Sequence, residues 1–329
     1  MSAPYQLIGL TASPYSMKMR ALMRYRQIPF EWIVEMPQLT GREVKVAPII
    51  LPVLRHPMGR DMIDSTKMAE VLEVEIVNRR GVIPPGDAAF LAALIEDLAD
   101  EWLTKAMFWY RWSDPESIAF ATGWLTADIG ATLPEAMRDA LPRNLRDRQM
   151  QRMAMIGATQ ENAPVVEQGY LDVLDALEPL AKRGRYLFGT RPGIADFALF
   201  GQLSQLAEDP GPGSILRERA PSVAHWLRRL DDLSGLELGT WSDEVDPAVI
   251  ALLRLAGSHY LPFLHANEAV AEADGDRVEI DLPSGKLIQP PFRWQVRCLN
   301  RLRKRFAEAE LSETTRTLLD DTGCLTQLK

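Results

Sequence analysis

Three short stretches carry the side chains best placed for chemistry. In Thr11-Ala12-Ser13-Pro14-Tyr15-Ser16 a serine stands directly before a proline, and Met19, Leu22 and Met23 follow at helical spacing. Serine at the N-cap and proline at the first helical position are two independent signals of a helix start. The apolar run from Tyr5 to Leu10 ahead of it reads as a strand. A strand that runs into a capped helix presents free backbone N–H groups and a dipole end. Such a place attracts an anion, a thiolate included. On these residues alone, Ser13 is either a plain cap or a hydroxyl that serves such an anion. The second stretch is Leu51-Pro52, where a proline at the entry to an apolar run belongs at a strand start or an edge and suits a cis bond. The third is Asp64-Ser65-Thr66, a cap for another helix. Its exposed start also offers N–H groups and a hydroxyl to a carboxylate, with Asp64 placed to meet an ammonium.

The remaining charged and aromatic clusters read first as structure. Glu96, Asp97, Asp100 and Glu101 fall on one face of a long helix. No histidine accompanies them, so a solvated face, or pairing across a dimer, is preferred to a metal site. Trp102, Met107, Phe108, Trp109, Tyr110 and Trp112 make the far end of this helix aromatic, with core packing as the default role. Arg293, Arg297, Arg301 and Arg305 form an i,i+4 stripe beside Trp294, Cys298, Leu302 and Phe306. Docking on the helical part of the chain, against its acidic face, is expected of that stripe. A membrane surface or nucleic acid is the alternative. The four histidines are scattered, and no metal site is read from them.

These residues need elements to hold them, and the pattern supplies three segments. Residues 1–80 alternate strand and helix: a strand over 5–10, a helix over 14–27 and a strand over 30–34. An irregular basic stretch follows over 40–47, then strands over 49–54 and 61–63 and a helix that fades before Asn78. This is a small α/β domain with a mixed four-stranded sheet. A Gly/Pro linker, Gly81 to Asp87, leads to an all-α segment over 88–243. Its helices are expected over 88–112, 166–181, 193–208 and from Pro221 through Leu230, with short helices between 113 and 163. Residues 244–329 form an extension with an apolar helix over 247–255, a short hairpin about Pro283-Ser284-Gly285, an amphipathic helix over 291–306 and a loosely held tail.

Composition bounds the rest. The chain has 329 residues, 47% hydrophobic and 25% charged, which is ordinary globular composition. A net charge of −8 argues against general nucleic-acid binding. No apolar run approaches the ~18 residues of a membrane span, so no membrane partner is expected. Met1-Ser2-Ala3-Pro4 runs straight into strand pattern, and no secretory signal is read. Cys298 and Cys324 are the two cysteines, which suits a reducing cytoplasm and excludes a disulfide framework.

Taken together, the motifs resemble the cytosolic glutathione transferase superfamily. Ser13-Pro14-Tyr15-Ser16 resembles the active-site loop of its serine- and cysteine-type members. Leu51-Pro52-Val53-Leu54 resembles the cis-proline motif that lines the tripeptide, and Asp64-Ser65 the pair that grips the γ-glutamyl end. Tyr186-Leu187-Phe188-Gly189 through Ala195-Asp196-Phe197 resembles the capping-box region of the helical half, with Gly193 where Ser or Thr is usual. The usual Asn-Pro lead-in to the proline motif is missing. Arg42 or Lys45 is then either a cation for the glycyl end or solvated surface charge.

The resemblance implies a thioredoxin-like first domain, a helical second domain, glutathione as co-substrate without a metal, and a cytoplasmic homodimer. It makes Ser13 the residue that stabilises the glutathione thiolate. Leu51, Pro52, Asp64, Ser65 and Tyr15 become the glutathione contacts, and Met107, Trp109 and Tyr110 candidates for an apolar acceptor site. The partners implied are glutathione and a small apolar electrophile. The alternative is a non-catalytic ligand-binding or scaffold protein on the same fold.

Overall fold

β1 (Tyr5–Gly9) is the strand on which the sheet is built. The computed structural model describes residues 3–329. Met1 and Ser2, part of the stretch in which no secretory signal is read, lie outside the described residues. After β1 come α1 (Pro14–Tyr25), β2 (Phe30–Val34), a single turn α2 (Pro37–Thr40), β3 (Val53–Arg55), β4 (Asp61–Met62) and α3 (Ser65–Glu75). The sheet order is β2-β1-β3-β4, with β1 and β2 parallel and the other pairs antiparallel. Leu7, Leu54, Met19, Leu22, Met23, Met68 and Leu72 are fully buried in its core. The domain is thioredoxin-like, as its motifs imply. The basic stretch expected to be irregular holds α2 just ahead of it, where Pro37 opens the turn and Gly41 closes it at φ 75°.

The second segment contains α4 (Asp87–Trp112), α5 (Pro115–Gly130), α6 (Glu135–Arg138), α7 (Leu141–Ile156), α8 (Ala163–Lys182), α9 (Ile194–Glu208), α10 (Pro210–Arg219) and α11 (Pro221–Leu230). α5 and α7 are each 16 residues long, not the short pieces expected between 113 and 163. Pro115 and Pro142 start them, since a proline in the first turn displaces no intrahelical bond. α10 was hidden by Pro210-Gly211-Pro212-Gly213, a composition that reads as a break, yet Pro210 takes the first helical position.

α9 is the central helix, packed on both α4 and α1. At Gly201 a Cβ would lie 2.6 Å from the carbonyl oxygen of Pro14, so only glycine lets α1 come this close. The half-box at the start of α9 forms as the sequence suggests. Asp196, fully buried, accepts from Gly193 N at 2.8 Å and from Leu187 N at 3.0 Å. Burial raises its pKa to about 7 against the pull of those donors.

The extension continues with α12 (Pro247–Leu255), a π-helical turn (Ala256–Tyr260), α13 (Leu261–Glu272), the hairpin β5 (Val278–Leu282) and β6 (Gly285–Gln289), α14 (Arg293–Glu308), α15 (Glu313–Asp321) and α16 (Leu325–Leu328). The helix expected to stop near Leu255 runs on, because the wide π turn makes room for Pro262. Pro247–Glu272 is thereby long and apolar enough to cross a membrane, contrary to the expectation of no such run, but 67% of its most apolar window is buried within the protein. The tail is not loose. Ser312 caps α15, Leu319, Cys324 and Leu328 are buried, and a Cβ at Gly257 would stand 2.0 Å from Thr322 O. The tail therefore crosses directly over the π turn.

Asp196→Ala leaves two buried N–H groups without a partner, each costing about 1–3 kcal/mol. A loss of about 2–4 kcal/mol in urea unfolding is expected, and a change below 0.5 kcal/mol contradicts this account of the cap.

Candidate active site

Sheet register brings the three chemical stretches to one end of the first domain. Ile8 pairs with Val53 and Leu54 with Met62. The end of β1, the entry to β3 and the exit of β4 therefore lie side by side. From these points emerge Ser13, Pro52 and Asp64-Ser65. Ser13 is the N-cap of α1, half-buried, with Oγ accepting from Ser16 N at 3.4 Å. An accepted bond leaves the hydroxyl proton for another acceptor. Ser16 is structural: it is buried, and its Oγ accepts from Leu10 N at 3.4 Å. The Leu51–Pro52 bond is cis, and Pro52 is buried. Asp64 has φ 74° and ψ 102°, a strained backbone for a non-glycine residue, and its Oδ1 accepts from Thr66 N at 3.2 Å and Lys67 N at 3.4 Å.

The helical domain holds the loop before Ser13 by almost every polar group the loop has. Arg111, buried on α4, donates from Nη1 to Ala12 O at 3.2 Å while its Nε is held by Asp209 Oδ2 at 2.9 Å. Gln205 Nε2 donates to Thr11 O at 3.1 Å. Asp128 accepts from Ala12 N at 3.0 Å and from Thr11 Oγ1 at 2.7 Å. Trp124 Nε1 donates to that same hydroxyl at 2.7 Å. None of these residues stood out in the sequence. Their one signal was charge inside an apolar pattern: Arg111 interrupts the aromatic end of α4.

The acidic face of α4 is neither solvated nor free to pair across a dimer. Glu96, Asp97, Asp100 and Glu101 are all buried. Lys18 from α1, with no exposure, lies 2.6 Å from both Glu96 and Asp100. Burial works against the lysine's charge, but Asp100 and Glu96 outweigh it and raise its pKa. Of the arginine stripe only Arg301 docks on this face, while Arg293 and Arg297 are exposed. Arg301 Nη2 meets Asp97 Oδ1 at 2.8 Å, Arg305 pairs with Glu70, and Trp294 Nε1 donates to Glu101 Oε1 at 2.8 Å. Arg301 also lies 3.6 Å from Asp64 Oδ2. Two firmly charged partners, Lys18 and Arg301, thus face four carboxylates. The excess is relieved by protonation: burial and the neighbouring Asp97 push Glu101 up to about 8.

Several expected site residues lie elsewhere. Tyr15 donates its hydroxyl to Asp100 O at 2.9 Å, so that proton is committed to the domain interface. Trp109 Nε1 donates to Glu167 at 2.7 Å, and the Tyr110 ring stands edge-on to Tyr170 at 5.6 Å; both face α8. Met107 is buried in the main core. The apolar residues beside the Ser13 loop are instead Phe108, Trp112, Trp124, Leu51 and Met36, gathered with Leu10 and Ala12 in a second cluster. Arg42 is paired with Glu35 at 2.7 Å, while Lys45 is exposed. Cys298 and Cys324 are free and buried, and burial raises both thiol pKa values. Among the described residues, no group of three or more His, Cys, Asp or Glu is arranged to hold a metal ion.

The sequence matches the glutathione S-transferase N-terminal domain over residues 7–77 and the glutathione S-transferase C-terminal domain over residues 143–229. With both halves in order on this fold, the chain belongs to the glutathione transferase superfamily. Among solved structures it is similar to a glutathione S-transferase of Methylobacterium radiotolerans JCM 2831, in complex with glutathione sulfonate. That pair has 22% identity and a TM-score of 0.44 over 74% of this chain and 98% of the other. It is also similar to the beta-etherase LigF of Sphingobium sp. strain SYK-6, at 17% identity and a TM-score of 0.42 over 70% and 95% of the two chains. A third is the glutathione transferase URE2P5 of Phanerochaete chrysosporium, at 13% identity and a TM-score of 0.43 over 83% and 99%. No curated protein matches the sequence.

The protonated state of Glu101 has a pH signature. Its pKa rises from 4.5 to about 8 on folding, so the folded chain retains a proton that the unfolded chain releases across that window. Stability is then lost as pH rises toward 8. Glu101→Gln keeps the acceptor for Trp294 without the charge. It is expected to match the parent near pH 4.5 and to exceed it by on the order of 2–4 kcal/mol at pH 8–9. A difference independent of pH in denaturant titrations contradicts the assignment.

Proposed function

We propose that the chain binds glutathione across Ser13, Leu51-Pro52 and Asp64-Ser65 and activates its thiol for attack on an apolar electrophile. The observation that carries this reading is the juxtaposition of a capped helix start, a cis-proline turn and a strained Asp64 at one sheet end, in a chain with both family domains. A free thiol has a pKa near 8.5 and is mostly protonated at neutral pH. The Ser13 proton, donated to sulfur, favours the thiolate, as does the end of α1. A hydrogen bond to a charged group contributes roughly 1.5–3 kcal/mol, equivalent to about one to two pKa units. The electrophile is placed against the apolar cluster of Leu51, Met36, Phe108 and Trp112, in place of Met107, Trp109 and Tyr110.

Asp64 and Arg301 present opposite charges to the same spot. An α-amino-acid head carries an ammonium and a carboxylate, and the pair is complementary to both. We assign Asp64 and the Ser65 hydroxyl to the γ-glutamyl end, with Arg301 reading its carboxylate. A homodimer, implied by the family resemblance, would use a surface other than the acidic face of α4, which α14 of the same chain covers. The rival reading is a ligand-binding or scaffold protein without turnover, and the glycyl end favours it, where Arg42 is already paired with Glu35 and Lys45 is exposed.

Calorimetry with glutathione comes first, and no binding sinks the enzymatic reading. Binding without conjugation of 1-chloro-2,4-dinitrobenzene or a comparable apolar electrophile supports the rival. Ser13→Ala is expected to raise the bound thiol's pKa by about one to two units and to slow conjugation at pH 7 about 10–100-fold. An unchanged pH–rate profile removes Ser13 from its role. Arg301→Met is expected to weaken glutathione binding about tenfold or more, but not binding of an analogue lacking the α-carboxylate. Equal losses for both ligands contradict the assignment of Arg301.

A further inference from the structure

A groove of about 570 Å³ lies between α8 and the extension, apart from the Ser13 site, with Pro164, Glu167, Asp172, His259, Pro283 and Ser284 among its walls. His259 sits in the π-helical turn and is 6% exposed; Ser284 is half-buried on the turn between β5 and β6. π-helical turns inside α-helices are frequent at functional sites. Ser284 Oγ lies 3.0 Å from His259 Nε2, and Ser258 Oγ 2.8 Å from His259 Nδ1.

The direction of these bonds follows from proton counting. Ser258 Oγ donates its single proton to Arg254 O at 2.7 Å. Its contact with Nδ1 is therefore one it accepts, and Nδ1 carries the ring hydrogen. Nε2 is left with a lone pair, so Ser284 is the donor. Burial lowers the His259 pKa below 6.5, although Asp172 opposes this, and keeps the ring neutral at pH 7. The edge of Trp102, with ring centroids 6.2 Å apart, bounds the imidazole on its inner side. A hydroxyl aimed at an imidazole lone pair, with the other ring nitrogen held by an acceptor, is an activated serine.

We infer that Ser284 and His259 form a second catalytic site, an acyl-accepting serine that hydrolyses uncharged or cationic esters without glutathione. The carboxylates of Glu167 and Asp172 along the groove disfavour anionic esters. Ser284 Oγ bonds to the ester carbonyl carbon as its proton moves to His259 Nε2. The ester C–O bond then breaks, and the departing alcohol takes that proton. Water next attacks the acyl-serine, passing a proton to Nε2. The carboxylic acid leaves as Ser284 Oγ recovers the proton. Ser258 is a positioning residue that fixes the tautomer.

The test uses the full chain in glutathione-free buffer, with 4-nitrophenyl acetate and an alkyl fluorophosphonate as probes. The expected results are nitrophenolate release and a phosphonyl adduct that peptide mass spectrometry places on Ser284. Ser284→Ala abolishes the adduct, and His259→Gln slows its formation about 100-fold or more. Ser258→Ala alters an exposed residue and guards against misfolding of the histidine variant; it is expected to slow labelling about tenfold or more. An adduct confined to another residue, no adduct on Ser284, or labelling undiminished in both His259→Gln and Ser258→Ala overturns the inference.

Discussion

A lysine with no exposed surface ties the two domains together. Lys18 sits one turn into α1 and reaches Glu96 and Asp100 on α4, both at 2.6 Å. Replacing such a buried pair with apolar groups is often neutral, but removing one partner typically costs 3–5 kcal/mol, because a buried charge is left uncompensated. The arrangement is therefore weak as a source of stability and strong as a constraint on geometry. Everything at the Ser13 site is referred to it. Ser13 caps the helix that carries Lys18. Tyr15 on the same turn bonds to Asp100 O, and Thr66 at the start of α3 donates to Glu96 at 2.7 Å. The loop and the Asp64 helix are thus registered to one pair of carboxylates.

Much of the fold was legible because local signals agreed. Ser13 before Pro14 marked α1, and the runs Phe30 to Val34 and Pro221 to Leu230 matched β2 and α11 at their observed bounds. The site was legible only as separate pieces; register, not motif, joins them. What the sequence hid was pairing across distance. Four carboxylates on one helical face read as solvated because their cations come from positions 78 and 204 residues away, Lys18 from Glu96 and Arg301 from Asp97. The aromatic end of α4 misled for a related reason. Periodicity locates an apolar face but does not say which neighbour it meets. Trp109 and Tyr110 turn to α8, and the adjacent Phe108 and Trp112 turn to the loop.

The extension is part of this arrangement and not an appendage to it. α14 supplies the second cation of the acidic face and a tryptophan N–H to the carboxylate left over. α15 is fastened to the first turn of α4, where Asp87 accepts from Thr315 Oγ1 at 2.6 Å. Its hairpin places Ser284 against the π turn, and its tail crosses that turn at Gly257. Charge explains why the cover is specific. A face of four acids tolerates only a partner that brings compensation, and the Arg301 and Trp294 positions bring one guanidinium and one neutral donor.

The close contact at Gly201 has a consequence for the site. A methyl group there would collide with the Pro14 carbonyl, so the backbone beneath the Ser13 loop rests directly on α9. Together with the buried lysine, this contact fixes the register of α1 against α4 and α9. Any side chain larger than hydrogen at position 201 must push α1, and Ser13 with it, away from the Arg111 and Gln205 donors that hold the preceding loop.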